Sequence, residues 1–143
     1  MLSKKLLVAI AIGLTCAASA QDRDSVDRFL QGYASAHVRA DIEWFFAHRD
    51  PTALVRQGSL LWTYKDFKRI VEEIRKAPQK PYYSEFHFEN TKIELKGDRA
   101  IVQTTDKWVD VGSKEPGGCK SKFILVWKDG DWRLWRLDES DLD

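Results

Sequence analysis

The chain has 143 residues, with 23 basic against 22 acidic side chains and two cysteines. That length fits one domain of ordinary size. Charges so evenly matched exclude a general polyanion binder, whose affinity needs a basic surplus that displaces counterions; no nucleic-acid partner is expected.

In chain order, a leader comes first. Lys4 and Lys5 precede an uncharged, mostly apolar run over 6–16, too short to supply the ~20 apolar residues that span a bilayer. Ala18-Ser19-Ala20 then provides the small residues of a signal-peptidase site. Residues 1–20 therefore read as a cleaved signal peptide and 21–143 as a single mature domain, periplasmic or secreted. A lipid anchor at Cys16 fits less well, because Gly13 stands where a Leu is usual. No later run is apolar enough to span a membrane. Loss of Lys4 and Lys5 takes the formal net charge from +1 to −1. Cys119 is then the only cysteine. It reads as a buried strand residue or as a reactive or intermolecular thiol.

Asp22, Asp24 and Ser25 offer cap oxygens for a first helix. Val26, Phe29, Leu30, Tyr33 and His37 follow at spacings of three and four and share one face, to about Ala40. A short second helix is predicted from Asp41, carrying Ile42, Phe45 and Phe46 and ended by Asp50-Pro51. Residues 52–56 and 59–62 read as two short strands joined at Gln57-Gly58. Thr63 and Asp66 stand at capping-box spacing, and Phe67, Ile70, Val71 and Ile74 form one stripe of a helix over 63–76. Pro78 and Pro81 prevent its continuation.

From Tyr82 the period becomes two. Tyr82, Ser84, Phe86 and Phe88 alternate with Tyr83, Glu85, His87 and Glu89, and the run reaches Leu95. That is longer than most strands, so a bend or bulge is expected. Gly97-Asp98 turns the chain into a strand over 100–111, a loop covers 112–118, and Asp129-Gly130 joins strands over 119–128 and 131–139. The fold class is α+β. A curved antiparallel sheet wraps three N-terminal helices and leaves a conical space between them.

The chain resembles the nuclear-transport-factor-2-like (NTF2-like) superfamily, in its SnoaL-like and DUF4440-like bacterial branch. The resemblance covers nearly the whole mature chain. It rests on element order, on the helix end at Ala40-Asp41, and on the helix opened by Thr63-Tyr64-Lys65-Asp66-Phe67. It rests also on the turn Lys96-Gly97-Asp98-Arg99-Ala100 and the terminal Asp129-Gly130-Asp131-Trp132-Arg133-Leu134. None of these is a catalytic motif. The resemblance implies an NTF2-like (cystatin-like) cone, a pocket inside it, and a homodimer through the sheet. The superfamily holds isomerases, dehydratases, cyclases, ligand binders and scaffolds, so fold does not decide function.

Ketosteroid-isomerase chemistry within that superfamily uses a tyrosine on helix one and a carboxylate base on a strand after helix two. Tyr33 matches the donor, with Asp41 at the loop position beyond it, but a gapless count puts Gln57 at the base. An amide has no lone pair basic enough for proton abstraction. Asp50 lies nearby in sequence but is expected in a loop. Tyr33 and His37 read either as core side chains or as pocket groups able to donate or titrate. Six tryptophans invite stacking on a flat or amphipathic guest, or ordinary core packing. Trp44, Trp62 and Trp108 are taken as pocket candidates. In the last strand, Trp132, Leu134, Arg136 and Asp138 share a face by period two; if it is inward, Arg136 and Asp138 stand at the pocket mouth, or pair with each other. Asp106 and Asp110 flank Trp108 and read as solvated. No histidine pair has metal-ligand spacing, and no Gly-rich phosphate loop or nucleophile elbow occurs, so neither metal nor cofactor is expected. Three readings remain open: a binder of a small hydrophobic or amphipathic ligand; an isomerase or hydro-lyase using Tyr33 with His37 or Asp138; and a non-catalytic dimeric module.

Overall fold

Asp22 starts the folded chain. Its carboxylate accepts the Ser25 backbone N–H at 2.8 Å, and the Ser25 hydroxyl oxygen accepts the Asp22 N–H at 3.1 Å. This reciprocal cap opens α1, Arg23–Arg39, whose buried stripe is Val26, Phe29, Leu30, Tyr33 and Ala36. The computed structural model describes residues 21–142, and the expected leader lies outside the described residues. Ala40 turns left-handed at φ 52. Asp41 then accepts the Trp44 N–H at 3.1 Å and caps α2, Ile42–Ala47. Among the described residues no helix is long and apolar enough to cross a membrane.

Asp50-Pro51, expected to lie in a loop, is instead part of β1, Arg49–Gln57. Asp50 is buried and accepts the Lys128 ammonium at 2.8 Å, a tertiary partner invisible to local pattern. β2, Leu60–Thr63, returns antiparallel to β1, and Thr63 caps α3, Tyr64–Lys76, through the expected reciprocal pair with Asp66. β3, Tyr83–Lys96, β4, Arg99–Asp110, β5, Pro116–Lys128, and β6, Asp131–Asp141, form the expected meander. The six strands lie in the order β2-β1-β6-β5-β4-β3. The β1–β6 pair is parallel, a departure from the all-antiparallel expectation. No hairpin links these two strands; β1 enters from α2 and joins the free edge of the meander in the same direction as β6.

Three bulges decide what faces inward. In β6, Leu134 pairs with Leu125 and Arg136 with Ile124, which leaves Trp135 as the extra residue. An extra residue reverses the facing of everything after it. Trp132 and Leu134 point into the core before the bulge, and Leu137 and Glu139 turn inward after it. A bulge at Ser84 does the same in β3, so Tyr83 and Phe86 lie on one side rather than on opposite sides. The expected irregularity later in that strand sits between Glu89 and Lys92.

The core fills one end of the cone. Val26, Phe29 and Leu30 from α1 meet Val102, Phe123, Leu125, Trp132 and Leu134 from the sheet. Trp132 is 1% exposed, and its Nε1–H donates to Ser25 Oγ at 2.7 Å. At the other end, His37 near the C-terminus of α1 stacks on Phe86 of β3 at 4.5 Å, and a cavity opens between these elements, α3 and the inner face of β1 and β6.

Candidate functional site

The cavity has a volume of about 450 Å³, within the range of small-molecule sites. Its apolar wall includes Val55, Phe67, Ile70 and Ile74 beside Phe86 and Trp108. Polar groups converge on it from every layer: Tyr33 and His37 from α1, Arg49 and Gln57 from β1, Asp106 from β4 and Glu139 from β6.

Four of the seven sequence candidates line this cavity: Tyr33, His37, Trp62 and Trp108. The other three do not. Trp44 packs against the flank of α1, so close that a Cβ on Gly32 would stand 2.7 Å from its ring, and it stacks on His48 at 4.1 Å. Arg136 and Asp138 fall on the outer face, because the Trp135 bulge breaks the strict alternation that placed them inside. Arg136 there donates to the carbonyls of Thr52 and Trp135, each at 2.8 Å, and Asp138 lies 3.5 Å from Arg56. Asp106 corrects in the opposite direction. Read as solvated, it is 3% exposed and inward, since β4 buries Val102, Thr104 and Asp106 in alternation.

Arg49, Asp106 and Glu139 are the charged groups that sequence reasoning missed. Gln57, where a base was sought and an amide found, is the link to them. It pairs in register with Glu139 across the parallel β1–β6 seam. A hydrogen-bonded belt then crosses five strands. Trp62 Nε1–H donates to Gln57 Oε1 at 3.0 Å, and Gln57 Nε2–H to Glu139 Oε1 at 3.5 Å. The Cys119 thiol lies 3.7 Å from Glu139 Oε2 and 3.6 Å from Ser121 Oγ, and the Ser121 hydroxyl donates to Asp106 Oδ2 at 2.9 Å. The carboxylate absent from position 57 is thus supplied by the neighbouring strand.

Burial tunes these groups. It pushes the Asp106 carboxyl up to about 7, with the Glu139 charge adding to the rise and the Ser121 hydrogen bond opposing it. Glu139 is also raised, chiefly by burial. Burial, and then the Arg49 charge, lowers His37 to about 4, so its ring is neutral at pH 7. Burial drives the Cys119 thiol up to about 12, which makes it an inert thiol rather than a nucleophile. Asp106 thus keeps its proton up to about pH 7, with Glu139 linked to it through Cys119 and Ser121. Among the described residues no three His, Cys, Asp or Glu side chains gather as a metal-ligand set.

Several polar groups here have no partner. Arg49 makes no hydrogen bond or ion pair with a described residue; its guanidinium lies 3.7 Å above the Phe67 ring with Nε sealed from solvent. Asp106 Oδ1 is sealed and unpartnered as well. Tyr33 and His37 make ring contacts only, with each other at 4.8 Å and with Phe45 at 5.2 and 4.7 Å.

Trp108 owes its place to Gly117, its cross-strand partner. A Cβ at Gly117 would stand 2.2 Å from Trp108 Nε1. Gly117→Ala is expected to cost about 1–3 kcal/mol by overpacking and to push the indole into the cavity. Urea denaturation checks this: an unchanged midpoint would show that the ring swings clear freely.

A family described as a SnoaL-like domain matches the chain over residues 26–142. No curated protein matches the sequence. Among solved structures, an NTF2-like protein from Cytophaga hutchinsonii is similar, with TM-score 0.70 at 10% identity over 85% of this chain and 98% of that one. A protein of unknown function with a cystatin-like fold from Nostoc punctiforme gives TM-score 0.68 at 11% identity, over 85% of this chain and 91% of that one. An NTF2-like protein of unknown function from Shewanella oneidensis gives 0.67 at 15% identity, over 82% and 98%. Identities this low speak to fold alone, and the fold is the NTF2-like, cystatin-like cone.

Proposed function

We propose that this chain, which belongs to the SnoaL-like domain family, binds a small amphipathic molecule in its conical cavity, in the periplasm or outside the cell as the leader over 1–20 implies. The observation that carries the reading is the combination of an apolar hollow with polar groups that find no partner within the chain. A core that served packing alone would pair or exclude such groups, because a buried donor or acceptor left unsatisfied costs ~1–3 kcal/mol. Here Arg49 and Asp106 are left unsatisfied at one place, beside Tyr33 and His37. A guest with an apolar body and one or two oxygens would satisfy them.

Tryptophan emission tests this. Trp62 and Trp108 stand in the wall, whereas Trp132 is buried in the opposite end of the cone. Titration with a library of metabolites and lipids is expected to shift the emission. Trp62→Phe or Trp108→Phe should remove much of the shift, and Trp132→Phe should not. A flat titration across the whole library counts against the reading.

A second reading, acid–base catalysis, is favoured by one observation: two carboxyls raised by burial and joined by a hydrogen-bonded belt across the cavity wall. Asp138, the acid–base candidate from the sequence, lies on the outer face with its side chain 63% exposed, so that role passes to Asp106 and Glu139. Turnover of any substrate found should then fall on Asp106→Asn; an unchanged rate removes this reading. A homodimer through the sheet remains a third proposal. Arg99 and Arg136 sandwich Trp135 on the outer face, at 3.9 and 4.1 Å from its ring, and sedimentation at low and high salt decides whether two such faces meet.

A further inference from the structure

We infer that the cavity selects a monocarboxylate with an apolar body, and that Arg49 is the residue that grips the carboxylate. This rests on the binding function proposed above and names the chemical class of the guest.

Arg49 begins β1, just before a stretch in which Arg49 pairs with Leu134 and the next register pair, Leu54 with Arg136, comes five residues later on one strand and two on the other. That irregularity carries the chain away from the regular ladder and lets the Arg49 side chain reach the cavity. The Phe67 face at 3.7 Å holds the guanidinium plane. A cation over an aromatic ring is favourable, but the contact uses none of the five N–H donors. Nothing else in the described chain uses them either. The other two arginines with a sealed, unbonded Nε, Arg99 and Arg133, each have a carboxylate within reach, Asp98 at 3.8 Å and Asp129 at 3.7 Å, and Arg136 donates twice to carbonyls. Arg49 alone meets the cavity with its fork unspent.

Chemistry then narrows the guest. A planar fork with parallel N–H groups fits a carboxylate through two charge-assisted bonds. The surroundings argue against a higher charge. Asp106 and Glu139 stand in the same wall, and a dianion such as a phosphate monoester would face both carboxyls with one half-buried cation to offset them. The other cation of the lining, Lys80, lies exposed at the mouth. A monoanion balances Arg49 alone. The apolar body follows from Ile70, Ile74, Phe86 and Trp108 around the remaining volume. Tyr33 and His37, without hydrogen bonds of their own to described residues, supply neutral donors beside the head group.

The test uses three probes of one shape on the purified protein: 2-naphthoate, 2-naphthamide and 2-naphthyl phosphate, titrated by calorimetry at pH 7.5. 2-Naphthoate is expected to bind at least tenfold more tightly than the amide and the phosphate. Arg49→Gln should remove that preference, with folding of the variant checked separately by its circular dichroism and a cooperative urea transition. Arg49→Lys, which keeps the charge and loses the fork, should retain part of it. Equal binding of acid and amide, a preference that survives Arg49→Gln, or tighter binding of the phosphate overturns the inference while leaving a binding cavity in place. Failure of all three probes to bind at millimolar concentration overturns the cavity reading itself, and this inference with it.

Discussion

Asp106→Asn is expected to make the protein more stable than wild type at pH 8, by as much as about 4 kcal/mol, and to leave the two nearly equal at pH 4. The carboxyl is 3% exposed, and burial pushes it up to about 7 from an ordinary 3.8. The folded protein therefore keeps this proton until about pH 7, whereas the unfolded chain releases it near 3.8. Between those values the folded state binds more protons, and stability falls as pH rises. The favourable contribution is complete below pH 3.8 and gone above about 7. At ~1.4 kcal/mol per pH unit, that gap sets the ceiling of about 4 kcal/mol. Asn cannot ionise, and its side-chain oxygen can accept the Ser121 hydroxyl as Asp106 Oδ2 does at 2.9 Å. Urea midpoints between pH 4 and 8 check the prediction. Parallel curves for the two proteins would mean that Asp106 titrates as an ordinary surface acid.

A carboxyl that opposes folding at neutral pH, in a wall shared with an unpaired guanidinium, marks the site as a place where packing was not the only constraint. Helix caps, apolar stripes and hairpin dipeptides are local, and each of them was legible: the Asp22–Ser25 and Thr63–Asp66 caps and the turns at Gly97 and Gly130 all stand where the sequence put them. Facing was legible only as far as the first bulge. One extra residue, Trp135, exchanged Arg136 and Asp138 for Leu137 and Glu139 on the inner side. Period two cannot announce this, because the strand keeps its composition through the bulge. Arg49 was hidden differently. It sits outside any periodic run, and its depth is set by contacts with α3 that no window of sequence contains. The gapless count to Gln57 found the right place in the cavity, but the carboxylate stands one strand away, and only the parallel β1–β6 pairing reveals it.

Trp132→Ala is expected to lower stability by about 3–5 kcal/mol while leaving the affinity of any cavity guest within about twofold, once the variant is kept below its melting temperature. The side chain is 1% exposed and packs among Val26, Phe29 and Leu134 at the closed end of the cone. Its removal leaves a large apolar void and takes from Ser25 Oγ the indole N–H that reaches it at 2.7 Å. Ser25 stays engaged, because its hydroxyl donates to the Asp22 carbonyl at 2.7 Å and accepts the Asp22 N–H at 3.1 Å. The cap of α1 therefore survives, and the loss falls on packing. Trp132→Phe keeps most of the volume and should cost little beyond the one hydrogen bond, about 1 kcal/mol. Guest affinity is the informative half. α1 runs from the packed end, at Val26, to the cavity, at His37, and could transmit a repacking along its length. If the cone divides into a structural end and a binding end, stability and affinity separate: Trp132→Ala moves the first and Arg49→Gln the second. A tenfold loss of affinity in Trp132→Ala at full folding would show instead that the two ends act as one unit, with α1 as the lever between them.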